Sequence, residues 1–146
     1  RVYQAVANGL LTGSGVVDQP IGRHPRQRIK MAVVSDGKEA RTHYSVLQRF
    51  HGHSHIKLQL ETGRTHQIRV HMAHLNHPLV GDSLYAGRFK IQKGTSAEFI
   101  DFLRNFERQA LHAAELALVH PHTGEEVSWS SPLVSILLKK TPCHLI

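Results

Sequence analysis

Cysteine is almost absent from this chain, Cys143 being the single one. An intrachain disulfide framework and a cysteine-built zinc site are therefore excluded, and the usage fits a reducing cytoplasm. Long hydrophobic runs are absent too. No apolar stretch approaches the roughly 18 residues that a membrane-spanning helix needs, so no membrane partner is expected. The chain opens on Arg1-Val2-Tyr3 without a charged-then-apolar leader and reads from its first residues as mid-strand, the expectation for a piece of a longer protein. Acidic residues are scarce: 11 Asp and Glu stand against 18 Lys and Arg, leaving a formal charge of +7. Such an excess suits a polyanion, because every neutralised phosphate releases counterions. A soluble domain with a solvated basic surface has the same composition. Apolar residues are not scarce. At 40 % of 146 residues they exclude disorder for most of the length and suffice for one domain with a real core.

Neither an internal repeat nor a low-complexity tract organises the chain. A short strand is expected over 2–7, ended by Asn8-Gly9. The glycine-containing segment 12–22 leads into Arg23-His24-Pro25-Arg26-Gln27-Arg28-Ile29-Lys30, a basic cluster that Pro25 keeps out of regular structure. Asp36-Gly37 marks a turn, and 42–50 has the β-branched and aromatic content of a strand. Ile56, Leu58 and Leu60 alternate with Lys57, Gln59 and Glu61, the pattern of a half-buried strand. Thr62-Gly63-Arg64-Thr65 then forms a tight turn, with Thr65 as N-cap of a helix over 66–76 that buries Ile68, Met72 and Leu75 and is stopped by Pro78. Thr95 and Glu98 form a capping box ahead of the stripe Phe99, Phe102, Leu103 and Phe106. Leu116, Leu118 and His120 alternate in a strand that turns over 121–124 into 126–129, a hairpin. The fold class is α+β, with a mainly antiparallel mixed sheet and two packed helices.

The turn over 62–65 brings unpaired backbone N–H groups and the positive end of a helix dipole to one place, with Arg64 before it and Arg69 on the helix. That spot attracts a phosphate or a carboxylate, and a guanidinium would hold a carboxylate bidentately and keep it ionised. A surface helix with solvated arginines has the same spacing. His71, His74 and His77 recur every three residues near His66, which raises a metal site. The segment 66–78 holds no Cys, Asp or Glu to complete one, and no Glu sits as in a zinc protease motif. No metal is expected; capping and RNA-facing histidines fit better.

These residues also carry a resemblance. Glu61-Thr62-Gly63-Arg64-Thr65-His66-Gln67-Ile68-Arg69-Val70-His71, continued by His77-Pro78-Leu79-Val80-Gly81-Asp82 and Tyr85, closely resembles the C-terminal motif of the RNA pseudouridine synthase family that contains the ribosomal large-subunit synthases A, C and D. Leu111-His112-Ala113 with Leu118, His120-Pro121 and Gly124 is similar to a later motif of that family, and Arg1-Val2-Tyr3-Gln4-Ala5-Val6 with Gly9 to its tyrosine segment. Pro20-Ile21, Met31-Ala32-Val33 and Arg108-Gln109-Ala110 are most like the synthase D branch. The resemblance covers 1–132, the C-terminal part of a catalytic domain, and leaves 133–146 as a divergent tail.

The resemblance implies isomerisation of uridines to pseudouridine in large-subunit ribosomal RNA, with no cofactor and no metal. It implies that Arg69 pairs with a nucleophilic aspartate, that Tyr3 packs on the flipped base, that Arg64 and His66 face the substrate, and that Leu111 walls the base pocket. Arg23, Arg26, Arg28 and Lys30 are the candidate phosphate contacts. The family's aspartate belongs to a His-Arg-Leu-Asp motif, and none of Asp18, Asp36, Asp82 and Asp101 has that context; Asp82 matches a position that reads as structural. Two expectations follow: the chain alone does not make pseudouridine, and Arg69, without its partner, lowers stability or admits water. A non-catalytic basic RNA-binding module is the alternative.

Overall fold

The computed structural model describes residues 1–88 and 91–133, so that Cys143 and most of the expected tail, 134–146, lie outside the described residues. Ten elements follow in order: β1 (Val2–Asn8), β2 (Ser14–Asp18), β3 (Ile21–Arg23), β4 (Met31–Val33), β5 (Arg41–Phe50), β6 (His53–Leu60), α1 (Gln67–His74), α2 (Ala97–Arg104), β7 (Leu111–Val119) and β8 (Glu126–Ser130). Six strands form one sheet in the order β2-β5-β6-β1-β7-β8, and β3 pairs with β4 separately. Every pairing among the described residues is antiparallel. The α+β architecture with two packed helices is as the residue pattern implied. The glycine-containing segment 12–22, to which no element was assigned, holds β2 and most of β3, and Arg23 of the basic cluster ends β3. Three- to five-residue strands with glycine inside carry too little periodicity to be seen.

Period-two alternation assigns the two faces of the sheet. Tyr3 lies opposite Leu58, and Ala5 opposite Ile56, while Tyr44 and Val46 extend the same rows on β5. Ile68 and Met72 of α1 seal this face, forming with Ala5, Ala7, Leu11, Ile56, Leu58 and Leu79 the principal core. Val6 faces the other way and meets Val80, Ala110, Leu103 and Phe106, where α2 docks. None of the described helices is long and apolar enough to cross a membrane.

Both expected N-caps shift by one residue. The cap of α1 is His66, in the left-handed region at φ 56°, with no side-chain capping bond; the β-branched Thr65 before it adopts that conformation less readily. The cap of α2 is Ser96, whose hydroxyl accepts from the N–H of Phe99 at 3.2 Å, so the box of Thr95 and Glu98 does not form. Helix α1 ends on a Schellman motif. Asn76, at φ 63°, donates to the Ala73 carbonyl, and His77 donates to that of Met72.

Candidate active site

A single buried amide fixes the strand–turn–helix unit. Gln67 is 2 % exposed, so its polar atoms need internal partners. Its Oε1 accepts from Thr62 Oγ1 at 2.8 Å and from the Arg64 N–H at 2.9 Å. Its Nε2 donates to the Arg41 carbonyl at 2.9 Å and to Thr42 Oγ1 at 3.0 Å. All four valences are used, which ties the turn to β5. Thr42 Oγ1 also meets His71 Nδ1 at 2.9 Å, and His71 Nε2 meets the Gln19 carbonyl at 2.9 Å. Burial pushes the His71 pKa down, keeping the ring neutral in this chain of bonds.

Arg69 projects from α1 to the opposite side from Thr42. Its Nε donates to Asp82 Oδ2 at 2.7 Å and its Nη2 to Oδ1 at 2.8 Å, a bidentate pair. The Asp82 side chain is fully buried and that of Arg69 is 14 % exposed. Asp82 Oδ1 also accepts the N–H groups of Leu84 and Tyr85, at 3.1 Å each. The hydrogen bond to Asp82 raises the Arg69 pKa still further above its ordinary value, so the guanidinium stays charged. It lies 4.9 Å from the centroid of the Tyr85 ring, within cation–π reach. The expectation of an unpartnered Arg69 is thereby corrected: Asp82 neutralises it. The turn that delivers Asp82 depends on Gly81, at φ 73°, where a Cβ would fall 1.9 Å from the Arg108 carbonyl oxygen.

His66 closes the other side of this cluster. Its Nδ1 is 2.9 Å from the Tyr85 hydroxyl, and the two rings meet edge to face at 5.7 Å. The same hydroxyl accepts the Met31 N–H at 2.9 Å. Desolvation first, and the Arg69 charge second, lower the His66 pKa, and Asp82 opposes them. His66, Arg69, Asp82 and Tyr85 thus form one connected site.

The remaining expected residues fall around it. Tyr3 and Leu111 are half-buried and both pack against the core that Ile68 and Met72 seal, with Leu111 opposite Ala5 and Tyr3 opposite Ala113 on neighbouring strands. Arg64 is exposed and its Nε donates to the Glu39 carbonyl at 2.8 Å, away from the Asp82 pair. In the basic loop, Arg23 Nη1 donates to the Arg28 carbonyl at 3.1 Å, and His24 Nδ1 accepts the N–H groups of Arg26 and Gln27. Arg26 and Arg28 are exposed, their side chains without an ion-pair partner among the described residues. Lys30 immediately precedes Met31, so the loop ends on the hydroxyl of Tyr85. Of the other histidines, His77 points its Nδ1 at the Asn8 carbonyl, at 2.8 Å. Among the described residues no three His, Cys, Asp or Glu side chains converge as metal ligands. Gln67, Asp82 and Tyr85 were not identified as site residues from sequence. All three stood in the recognised motif, but nothing in linear spacing says which arginine a carboxylate 13 positions away will meet.

Comparison with known proteins adds four findings. The family described as RNA pseudouridylate synthase matches residues 1–74. Over 133 residues the chain is 56 % identical to the ribosomal large subunit pseudouridine synthase D of Pseudomonas aeruginosa, covering 91 % of this chain and 42 % of that protein. Identity to the synthase of the same name from Escherichia coli K12 is also 56 %, with 41 % of that protein covered. The chain therefore spans about two fifths of the length of these curated relatives. Among solved structures, the human RNA pseudouridylate synthase domain containing 1 superposes with a TM-score of 0.70 at 29 % identity, over 93 % of this chain and 56 % of that one.

Proposed function

Since the chain belongs to the RNA pseudouridylate synthase family, we propose that it supplies the arginine side of an active site that isomerises uridine to pseudouridine in large-subunit ribosomal RNA. The substrate follows the names of the relatives at 56 % identity, and a cytoplasmic location follows from that substrate. The observation that carries the reading is the Arg69 guanidinium held by a buried carboxylate at the end of the recognised motif. Asp82 occupies Nε and Nη2, which leaves Nη1 as the donor for a second carboxylate, that of the nucleophile.

In this reading the nucleophile comes from the part of the relatives that this chain does not span. Asp82 itself is unsuited to attack: it is fully buried and accepts from Arg69, Leu84 and Tyr85. Asp18 is paired with Arg41 at 2.7 Å. Tyr3, half-buried on β1, offers a ring to offset the few kcal/mol lost when a base leaves its stack. Leu111 adds an apolar wall beside it, Arg64 and His66 provide donors at the start of α1, and Arg23, Arg26, Arg28 and Lys30 contact phosphates. No step of this chemistry calls for a metal or a cofactor.

The test joins the segment that precedes this region in the Pseudomonas aeruginosa relative ahead of Arg1 and maps modified uridines in large-subunit RNA. The fusion is expected to form pseudouridine, the Arg69→Ala fusion to form none above background, and the 146-residue chain to bind RNA without turnover. A folded fusion that stays inactive where the relative is active overturns the reading. Turnover by the 146-residue chain alone would overturn the assignment of the nucleophile.

A further inference from the structure

The hydroxyl of Tyr85 sits between two groups of different kind. The Met31 N–H can only donate to it. His66 Nδ1, at 2.9 Å, donates or accepts depending on which ring nitrogen carries the proton. If Nδ1 carried the proton, the tyrosine oxygen would accept two hydrogen bonds, and its own proton would have no acceptor among the described residues. If Nδ1 is bare, every proton finds a partner: Met31 donates to the tyrosine oxygen, and the tyrosine donates to the imidazole. Tyr85 and His66 are both half-buried, and only the second arrangement pairs every one of these protons within the protein, which selects it. The proton of a neutral His66 then resides on Nε2. That nitrogen has no partner among the described residues, and His66 is half-buried at the start of α1 rather than packed away.

We propose that Tyr85 is a positioning residue: its hydroxyl, anchored by Met31, fixes His66 in the Nε2–H tautomer, so that a neutral donor faces an acceptor oxygen of the bound RNA. The same ring lies against Arg69, so one side chain sets both the histidine and the guanidinium. Because Met31 follows Lys30, the anchor also ties the end of the basic loop to this donor. Seating a phosphate on that loop is thereby coupled to the orientation of His66. The RNA part of this inference rests on the function proposed above; the tautomer does not.

Nitrogen-15 NMR of the 146-residue chain reads the tautomer directly. His66 is expected as Nε2–H in the unmodified chain, and as a mixture or as Nδ1–H in Tyr85→Phe, which keeps the ring under Arg69 and removes only the hydroxyl. A His66 found as Nδ1–H in the unmodified chain overturns the proposal even if the variant fails to fold. A tautomer unchanged in a folded variant overturns it as well. In RNA-binding titrations of the same chain, Tyr85→Phe and His66→Ala should each weaken binding by up to about tenfold, the scale of one lost hydrogen bond. The double variant should lose no more than His66→Ala alone. Additive losses would overturn the link between the two residues. A correct tautomer accompanied by no pseudouridine formation in the fusion experiment would instead count against the proposed function alone.

Discussion

At the scale of single residues, burial decides which ion pair matters. Arg69–Asp82 and Arg41–Asp18 have the same 2.7 Å contact, but their side chains are 14 % and 0 % exposed in the first case and 36 % and 53 % in the second. Removing one charge from a buried pair strands the other in a medium that solvates it poorly, at a cost of about 3–5 kcal/mol. Asp82→Asn is expected to lower stability by that order, and urea midpoints measure it. Asp18→Asn should change the midpoint far less, because water and salt already screen the Arg41 pair. Equal losses for the two would show that Arg69 is solvated after all. The residue pattern left Arg69 open between an anion-holding and a solvated arginine; the family resemblance gave it a carboxylate, and neither identified Asp82 as a partner. An arginine on the helix after the turn is visible in one dimension; a carboxylate brought in through a left-handed Gly81 is a property of the folded chain.

At the scale of elements, the strand–turn–helix unit was legible because three signals agree: alternation in β6, the glycine turn, and the spacing of Ile68 and Met72. The helix starts were legible only to within one residue, since the cap is fixed by backbone φ and ψ, which the residue types at 65–66 and 95–96 do not determine. At α2 the distinction is testable. Ser96 Oγ accepts from Phe99 N–H at 3.2 Å, whereas Thr95 Oγ1 donates to the Gln92 carbonyl at 2.7 Å. Ser96→Ala is expected to cost about 1 kcal/mol and to speed amide exchange in the first turn of α2. Thr95→Ala should leave that turn's exchange nearly unchanged. The reverse order would restore the capping box that the residue pattern suggested. The strands β2 and β3 escaped notice for another reason: they are held by β5 and β4, not by any periodicity of their own.

At the scale of the whole molecule, four of the thirteen histidines share one direction of response to acid. His53, His55, His66 and His71 come from β6 and α1, and burial is the first cause that lowers each of their pKa values below 6.5. In the unfolded chain the same rings titrate near their ordinary value of about 6.5. Between that value and their folded ones, the unfolded state therefore binds more protons, and stability must rise with pH across this window. Glu61, held down mainly by His43, acts in the same direction but at lower pH, through the carboxylate range, and solvent screens it. Thermal melts from about pH 7.5 down to about pH 5 should thus show Tm falling progressively once pH drops below about 6.5, while most carboxylates are still ionised. His71 contributes because burial outweighs the opposing bond from its ring to the Gln19 carbonyl, so its NMR titration should fall below the ordinary histidine value. A Tm independent of pH over this interval would mean that the buried rings are protonated without cost. The network joining α1 to β5 would then be looser than its distances indicate.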